Sequence, residues 1–552
     1  MSITKLKHSI LPYLFIICTQ CVLILNLASC KTSSSDPKND LILLYLLGQI
    51  ASKNNCPTGS VSISGGSDPL FTDQWHLNNS TTSGEDANVS SVWSSGSTGS
   101  GVVVSVVDDG LEILHEDLCS NVSSSVTGYN YATKSTDPTH SVFTSHHGSS
   151  VAGVIASISG NSLGGKGVAY DAKLVGRNIL EGATDSNVAE ALTSQTDLIS
   201  ISNNSWGAAD GTGNYNSTLA TSLWKNAIIS GITTGRSGKG TLYFWAAGNG
   251  GYSGIINNTT LPFDNSNFDG QANYYGVLAI CGVGEDGKRA SYSEKGANLW
   301  VCAHTQGTNT GYTRAITTTD ASGGKGLNTS SSSSDLSNKN YTKKFNGTSS
   351  AAPLAAGVTA LLVGKYPAFS WRDVREILAK SARKNDSSNS DWTTNTAGYN
   401  INHNYGFGTI DATRAMSTAS TWSSITNPQI TCDIASATSS TGQISFTTSA
   451  CNNISKIEFI EINFSTTASD TGTITIELYR SNTSGTKSIL IESHYCASGN
   501  SYVFCQTGSN MGTIRMGTSR HLGESVGSTW ILKATSTSVT FTASLKFYGR
   551  IN

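Results

Sequence analysis

Three short stretches of the chain could together perform nucleophilic catalysis. The first is "KKFNGTSSAAPLAAGVTALLVGKYP", residues 343–367. Its small, apolar run is too long for a strand and reads as a buried helix. Pro353 is read as belonging to the first helical turn, so the helix is expected to begin near Ser349 or Ser350. Ser and Thr are good helix caps. A serine at the positive end of a helix is also well placed to become a nucleophile if a base is near. The second stretch, "SHHGSSVAGVIAS", puts His147 at the start of another small-residue helix. The third, "VVVSVVDDG", ends an apolar strand with Asp108 and Asp109. A serine hydroxyl needs an imidazole to take its proton, and the imidazole needs a carboxylate to fix its tautomer. A fourth stretch, "FWAAGNGG", sets Asn249 between glycines after a strand. Its amide is either a turn former or a donor to a developing oxyanion.

These pieces need a scaffold. Apolar, β-branched runs at 102–107, 172–180, 197–207, 241–250 and 276–284 alternate with helical stretches from about 58 to 425. Continuous apolar strands between helices predict an α/β fold with a mostly parallel sheet covered on both faces. In such sheets ligands bind at the carboxyl ends of the strands, where Asp108 stands. After about 426 the texture changes to alternating strands without helices, as in "KIEFIEINF" and "GTITIELYR". Residues 426–552 therefore read as an all-β sandwich.

The 552 residues carry a net charge of -2, with 13% charged residues, so no basic field invites nucleic acid. Lys5 and Lys7, the apolar run to Leu27 and the sequence "LASC" make residues 1–30 an export signal. They resemble a bacterial lipoprotein signal, which implies Cys30 as the lipidated residue and a lipid anchor in the membrane of the cell envelope. Residues 31–57 form a tether whose apolar "LILLYLLGQI" is too short to span a bilayer. Eight cysteines remain in the exported part, at 56, 119, 281, 302, 432, 451, 496 and 505. An even number points to disulfides; proximity suggests Cys432–Cys451 and Cys496–Cys505.

The order Asp, His, Ser, with D-D-G, H-G-S-x-x-A-G, S-W-G, A-A-G-N-G and G-T-S-S-A-A-P, resembles the subtilisin-like serine peptidases. "DPLFTDQWHLNN", "SWGAAD", "WRDVREILAKSA" and "NYGFGTIDA" look like the kexin/furin branch, and the closing segment from His521 resembles its P domain. The resemblance implies a three-layer peptidase domain over 58–425 and a P domain over 426–552. It implies Asp108 as orienting group, His147 as general base and Ser349 as nucleophile. Asn249 and the Ser349 N–H would hold the oxyanion, and Ser205, Trp206 and Gly207 would pair with an extended substrate as an added strand. Asp210 and Asp269 match acids of the S1 pocket, and Asp109 an S2 acid; a carboxylate there takes Arg or Lys from a protein or peptide substrate. Thr144 stands where the branch has a second S2 acid. Asn216 stands where it has an S4 acid, with Glu190 a loose substitute. Cleavage after a single basic residue, or relaxed dibasic cleavage, is the expectation. The resemblance also implies calcium. One site would use Asp68, Asp117 and Asn161 with the carbonyls of Ile158, Leu163 and Gly165; a second would use Asp210, Asp264 and Glu294. No dibasic pair lies between Cys30 and Asp68, so folding is expected with a separate chaperone or with the tether alone. The rival reading is a surface lipoprotein adhesin on a peptidase scaffold.

Overall fold

In a computed structural model, the protein is described over residues 56–57, 66–82, 84–141, 146–256, 259–468, 472–480, 486–498, 501–504, 513–535 and 540–551. Cys30, the export signal and most of the tether lie outside these residues, as do Thr144 and Cys505.

The apolar runs form seven parallel strands: β1 (Val103–Asp108), β2 (Tyr129–Asn130), β3 (Lys173–Asn178), β4 (Ile201–Asn204), β5 (Leu242–Ala246), β6 (Val277–Val283) and β7 (Leu299–His304). Their spatial order is β2-β3-β1-β4-β5-β6-β7. Every pairing is parallel, from Asn130 beside Asn178 at one edge to Val283 beside His304 at the other. β4, β5 and β6 are buried along their whole length, as strands covered on both faces must be. His147 and Ser349 sit on the helices α1 (His147–Ala156) and α4 (Thr348–Lys365); α2 (Asp185–Thr193), α3 (Ser222–Gly238), α5 (Trp371–Ser381) and α6 (Ala412–Ser420) add to the helical layers. Helix α4 is buried from Ser350 to Val363, the central helix of the core.

The expectation for Pro353 needs correction: α4 begins at Thr348, so Pro353 falls in the second turn. A proline there has no N–H for the carbonyl four residues back, which is that of Ser349. The freed carbonyl is not orphaned, because the Ser205 hydroxyl donates to it at 3.0 Å.

Beyond residue 426 two four-stranded antiparallel sheets form. One runs β8 (Ile430–Ser439), β15 (Phe541–Arg550), β10 (Lys456–Thr466), β13 (Ile514–Thr518). The other runs β9 (Gln443–Thr447), β14 (Thr529–Thr535), β11 (Thr475–Arg480), β12 (Lys487–Ile491). Alternating apolar residues of both sheets, such as Ile460, Ile462, Leu478, Leu532 and Leu545, make their shared core. Phe268 and Ala297 of the α/β part insert into that core, while Phe459 and Tyr548 of the sandwich pack into the α/β core. Arg550 pairs with Glu376 of α5 and, at 2.8 Å, with Glu458; Arg372 also pairs with Glu458. The ions of this network are nearly buried, and each has a partner.

Two disulfides join described cysteines. Cys432–Cys451 pairs as proximity suggests. Cys281–Cys302 was not foreseen; it links facing residues of β6 and β7. Cys56, Cys119 and Cys496 are disulfide-bonded as well.

Candidate active site

Asp108 closes β1 and is fully buried. One of its oxygens accepts from the Asp109 N–H at 2.8 Å and from His147 Nδ1 at 2.9 Å. The imidazole therefore donates through Nδ1 and keeps Nε2 as an acceptor. This contact depends on Gly148: a Cβ there would lie 2.0 Å from the Gly110 carbonyl oxygen, so a side chain would force α1 away from β1. Burial by itself lowers the pKa of His147, but the charge and hydrogen bond of Asp108 outweigh it and lift the imidazole to about 9. Burial raises Asp108 in turn, against the pull of His147.

Ser349 is the second residue of α4, where no helical carbonyl is available to its N–H. Its hydroxyl donates to the Ser205 carbonyl at 3.1 Å. Asn249 follows β5 in the turn. Its Oδ1 accepts from the Thr348 N–H at 2.7 Å and from the Thr348 hydroxyl at 3.0 Å. With the amide oxygen so fixed, Nδ2 is the end of Asn249 that makes no hydrogen bond among the described residues, and it is the end left to donate. His147, Asn249 and Ser349 line one cavity of about 330 Å3.

A second cavity of about 220 Å3 shares Asn249 and Ser349 and is walled by Ser205, Trp206, Gly207, Asp210, Asp269 and Asn216. Asp269 is buried and held by three backbone donors, Ala208 at 2.9 Å, Gln271 at 2.6 Å and Ala272 at 3.2 Å. Burial nonetheless raises its pKa. Gly207 lets this carboxylate approach, since a Cβ would meet it at 2.5 Å. Trp206 is anchored by its indole N–H, which donates to the Val107 carbonyl at 2.8 Å. Asp210 accepts from the Asn249 N–H at 2.7 Å. Arg515 of β13 donates to the carbonyls of Gly270 and Asn273, so the sandwich braces the loop that carries Asp269.

Asp109 acts locally, since its carboxylate accepts from the N–H groups of His146, His147 and Gly148 at 2.8–3.1 Å. It caps α1 and offsets the positive helix end. Glu190 is an exposed residue of α2 and lines neither cavity.

Both sets of candidate calcium ligands have the chemistry a cation needs. Asp117 is fully buried; one oxygen accepts from Asn161 at 2.8 Å and the other has no partner among the described residues. Burial, with Asp68 as a like neighbour, raises Asp117 well above the carboxylate range. Asp68 accepts from the Gly160 N–H at 2.6 Å, on the loop that holds Ile158, Leu163 and Gly165. In the other set, Asp210, Asp264 and Glu294 line the acidic cavity. Burial and its acidic neighbours push Asp264 to about 6 and Glu294 well above its normal range. A buried, unpartnered oxygen and mutually repelling buried carboxylates are what a hard cation resolves. Among the described residues, no three His, Cys, Asp or Glu side chains stand close enough to form a metal cluster by themselves, so backbone and amide oxygens would have to complete either site.

Residues 99–408, more than half of the chain, match the subtilase family, Peptidase_S8. The chain belongs to the subtilase family. It is 35% identical over 364 residues to mouse proprotein convertase subtilisin/kexin type 7, covering 65% of this chain and 44% of that protein. It is 32% identical over 437 residues to human proprotein convertase subtilisin/kexin type 4, covering 77% of this chain and 53% of that protein. The chain thus spans about half the length of these relatives. Among solved structures it resembles a serine protease of Aeromonas sobria in complex with a chaperone, with a TM-score of 0.76 and 26% identity over 90% of this chain and 98% of that one. A structure of a serine protease of Aeromonas sobria gives a TM-score of 0.74 at 25% identity over 90% of this chain and 98% of that one. The kexin-like resemblance read from the motifs is therefore borne out for this subtilase.

Proposed function

We propose that this subtilase is an exported, calcium-dependent serine endopeptidase that cleaves after Arg or Lys. The observation that carries the reading is the His147 imidazole bonded to buried Asp108 on the wall of a cavity that Ser349 and Asn249 also line. In the first step the Ser349 hydroxyl leaves the Ser205 carbonyl and gives its proton to His147 Nε2 as Oγ attacks the scissile carbonyl. Asp108 holds the imidazole and stabilises its charged form. Asn249 Nδ2 and the Ser349 N–H receive the oxyanion. His147 then protonates the leaving amine, and water repeats the sequence on the acyl-enzyme.

The basic specificity is supported by Asp210 and Asp269 in the cavity that adjoins Ser349. A cationic side chain entering it meets a buried carboxylate already fixed by three N–H groups. Ser205–Gly207 are the edge on which the substrate backbone would lie, and Asp109 would reach substrate only as a field near the next residue. Calcium would be held by Asp68, Asp117, Asn161 and the carbonyls of Ile158, Leu163 and Gly165, and by Asp210, Asp264 and Glu294. When bound, the ion neutralises these carboxylates and stiffens the loops. The convertase relatives and the Aeromonas protease support export, and lipid anchoring through Cys30 belongs to the same reading. The Aeromonas protease was solved with a chaperone, which supports a separate folding chaperone here.

The test is hydrolysis of peptides that differ only in having Arg or Leu before the scissile bond, by the purified protein, Ser349→Ala and Asp269→Asn. Hydrolysis after Arg that vanishes in Ser349→Ala is expected. Removing one partner of a buried charge pair costs about 2–5 kcal/mol, so Asp269→Asn should lose roughly a hundredfold in kcat/KM on the Arg peptide. Equal cleavage after Leu would sink the pocket assignment, and activity surviving in Ser349→Ala would sink the triad.

A further inference from the structure

The two cavities that meet at Ser349 and Asn249 have opposite chemistry. The smaller is walled by four carboxylates, of Asp210, Asp264, Asp269 and Glu294. Among the described residues, the larger has no Asp, Glu, Lys or Arg in its lining; His146, His147, Tyr252, Tyr292, Leu327 and Phe345 supply most of its described wall. Phe345 stands edge-on to the His147 ring at 5.4 Å. Tyr292 commits its hydroxyl to the Gln306 carbonyl at 2.7 Å and to Thr305 at 3.0 Å, so its largely buried ring forms a fixed part of the wall. Tyr252 and Leu327 are 48% and 36% exposed, among ten large apolar side chains of the described residues left so open. Nothing in the catalytic chemistry requires them to be apolar.

The position of His147 decides which half of a substrate lies here. A general acid must reach the nitrogen of the leaving amine. His147 lines the larger cavity and not the acidic one. The residue that departs with the amine therefore lies over the larger cavity, while the acyl side fills the acidic one. We propose that the larger cavity is a second specificity site, which takes a large apolar or aromatic side chain from the residue immediately after the scissile bond. The preferred cut then falls between a basic and an apolar residue. The proposal rests on the serine-peptidase reading and names the substrate class of that same site.

The test uses quenched fluorescent peptides with Arg before the scissile bond and Ser, Glu, Leu or Phe after it, together with a methyl ester of the same Arg-ending acyl chain. The ester leaves only methanol and puts no side chain in the larger cavity. Burial of a Leu or Phe side chain predicts kcat/KM about tenfold or more above the Ser peptide. The Glu peptide should be the poorest. Leu327→Ser, and separately Tyr252→Ser, should bring the Leu-to-Ser ratio of kcat/KM down toward one. Both side chains are solvent-exposed enough for substitution to spare the fold. Ester hydrolysis with no preference for Leu or Phe would overturn this inference and leave the peptidase reading standing. A wild-type ratio unchanged in both variants would overturn the lining assignment. No hydrolysis of ester or peptide would defeat the peptidase reading, and this inference with it.

Discussion

Asn249 has two roles that its two amide atoms divide between them, and the division can be tested by substitution. Oδ1 accepts the Thr348 N–H at 2.7 Å and the Thr348 hydroxyl at 3.0 Å, so it serves as a helix cap supplied from another element. Nδ2 is the proposed oxyanion donor. Loss of a cap costs about 0.5–2 kcal/mol of stability. Loss of one oxyanion donor costs about 10²–10³ in kcat. Asn249→Ala removes both atoms, so it should lose both stability and rate. Asn249→Asp keeps an acceptor for Thr348 and removes only the donor. Its melting temperature should match the wild type while kcat falls by about 10²–10³, with KM for an Arg peptide little changed. Thermal unfolding and steady-state hydrolysis at alkaline pH, where the new carboxyl is ionised, measure the two separately. If the aspartate variant keeps kcat within a factor of about three, an amide donor contributes nothing at this position. If the alanine variant melts with the wild type, the Thr348 contact carries no stability.

Asp108 holds His147 up to about 9, and the base must be neutral, so kcat/KM should rise with pH through an inflection near 9. Asp108→Asn should move that inflection down toward the ordinary 6.5 and cut kcat by about 10⁴. In the linkage sense, His147 has a folded pKa above its unfolded one: its contribution to stability is complete below about 6.5 and is lost as pH rises to about 9. Urea unfolding across that window checks it, with Asp108→Asn expected to flatten the slope. Calcium at a hundredfold over its dissociation constant should add ~2.7 kcal/mol to unfolding free energy, chelation should remove it, and Asp117→Asn should shrink the increment. Calorimetry in EDTA and in calcium reads this directly. Finally, Arg550→Ala strands the buried Glu376 carboxylate and leaves Glu458 with Arg372 alone. It should cost about 3–5 kcal/mol in denaturant unfolding; a loss below about 1 kcal/mol, as for an exposed pair, would refute the network.

Five of the seven strands of the sheet were legible, because each coincides with an apolar run of the sequence; the two-residue β2 and the edge strand β7 were not. The order of Asp108, His147 and Ser349, and their placement at element ends, were legible for the same reason. Long-range partners were not. Nothing near Asn249 in the chain signals that Thr348 would hold its carbonyl. Asp109 reads as an acid beside the catalytic one, yet its three N–H donors come from residues 37–39 positions away. Cys281 and Cys302 lie 21 residues apart on neighbouring strands, and only the register of β6 against β7 makes them face each other. Pro353 misled because proline in a second turn is expected to break a helix, and the compensating Ser205 hydroxyl is remote in sequence. The apolar lining of the larger cavity comes from four separate segments, none of which stands out alone.

β15 sits between β8 and β10 rather than at an edge of its sheet, and Arg550 at its end ties the sandwich to α5. A chain passing a ribosome or a translocation channel delivers its N-terminal part first. Until Phe541–Arg550 have been made, β8 and β10 lack the strand between them, Glu376 lacks its guanidinium, Glu458 has Arg372 alone, and the core that receives Phe268 is without Phe541, Ala543, Leu545 and Phe547. A polypeptide that stops short of Phe541 would carry Asp108, His147 and Ser349 but lack the strand on which both β8 and β10 pair.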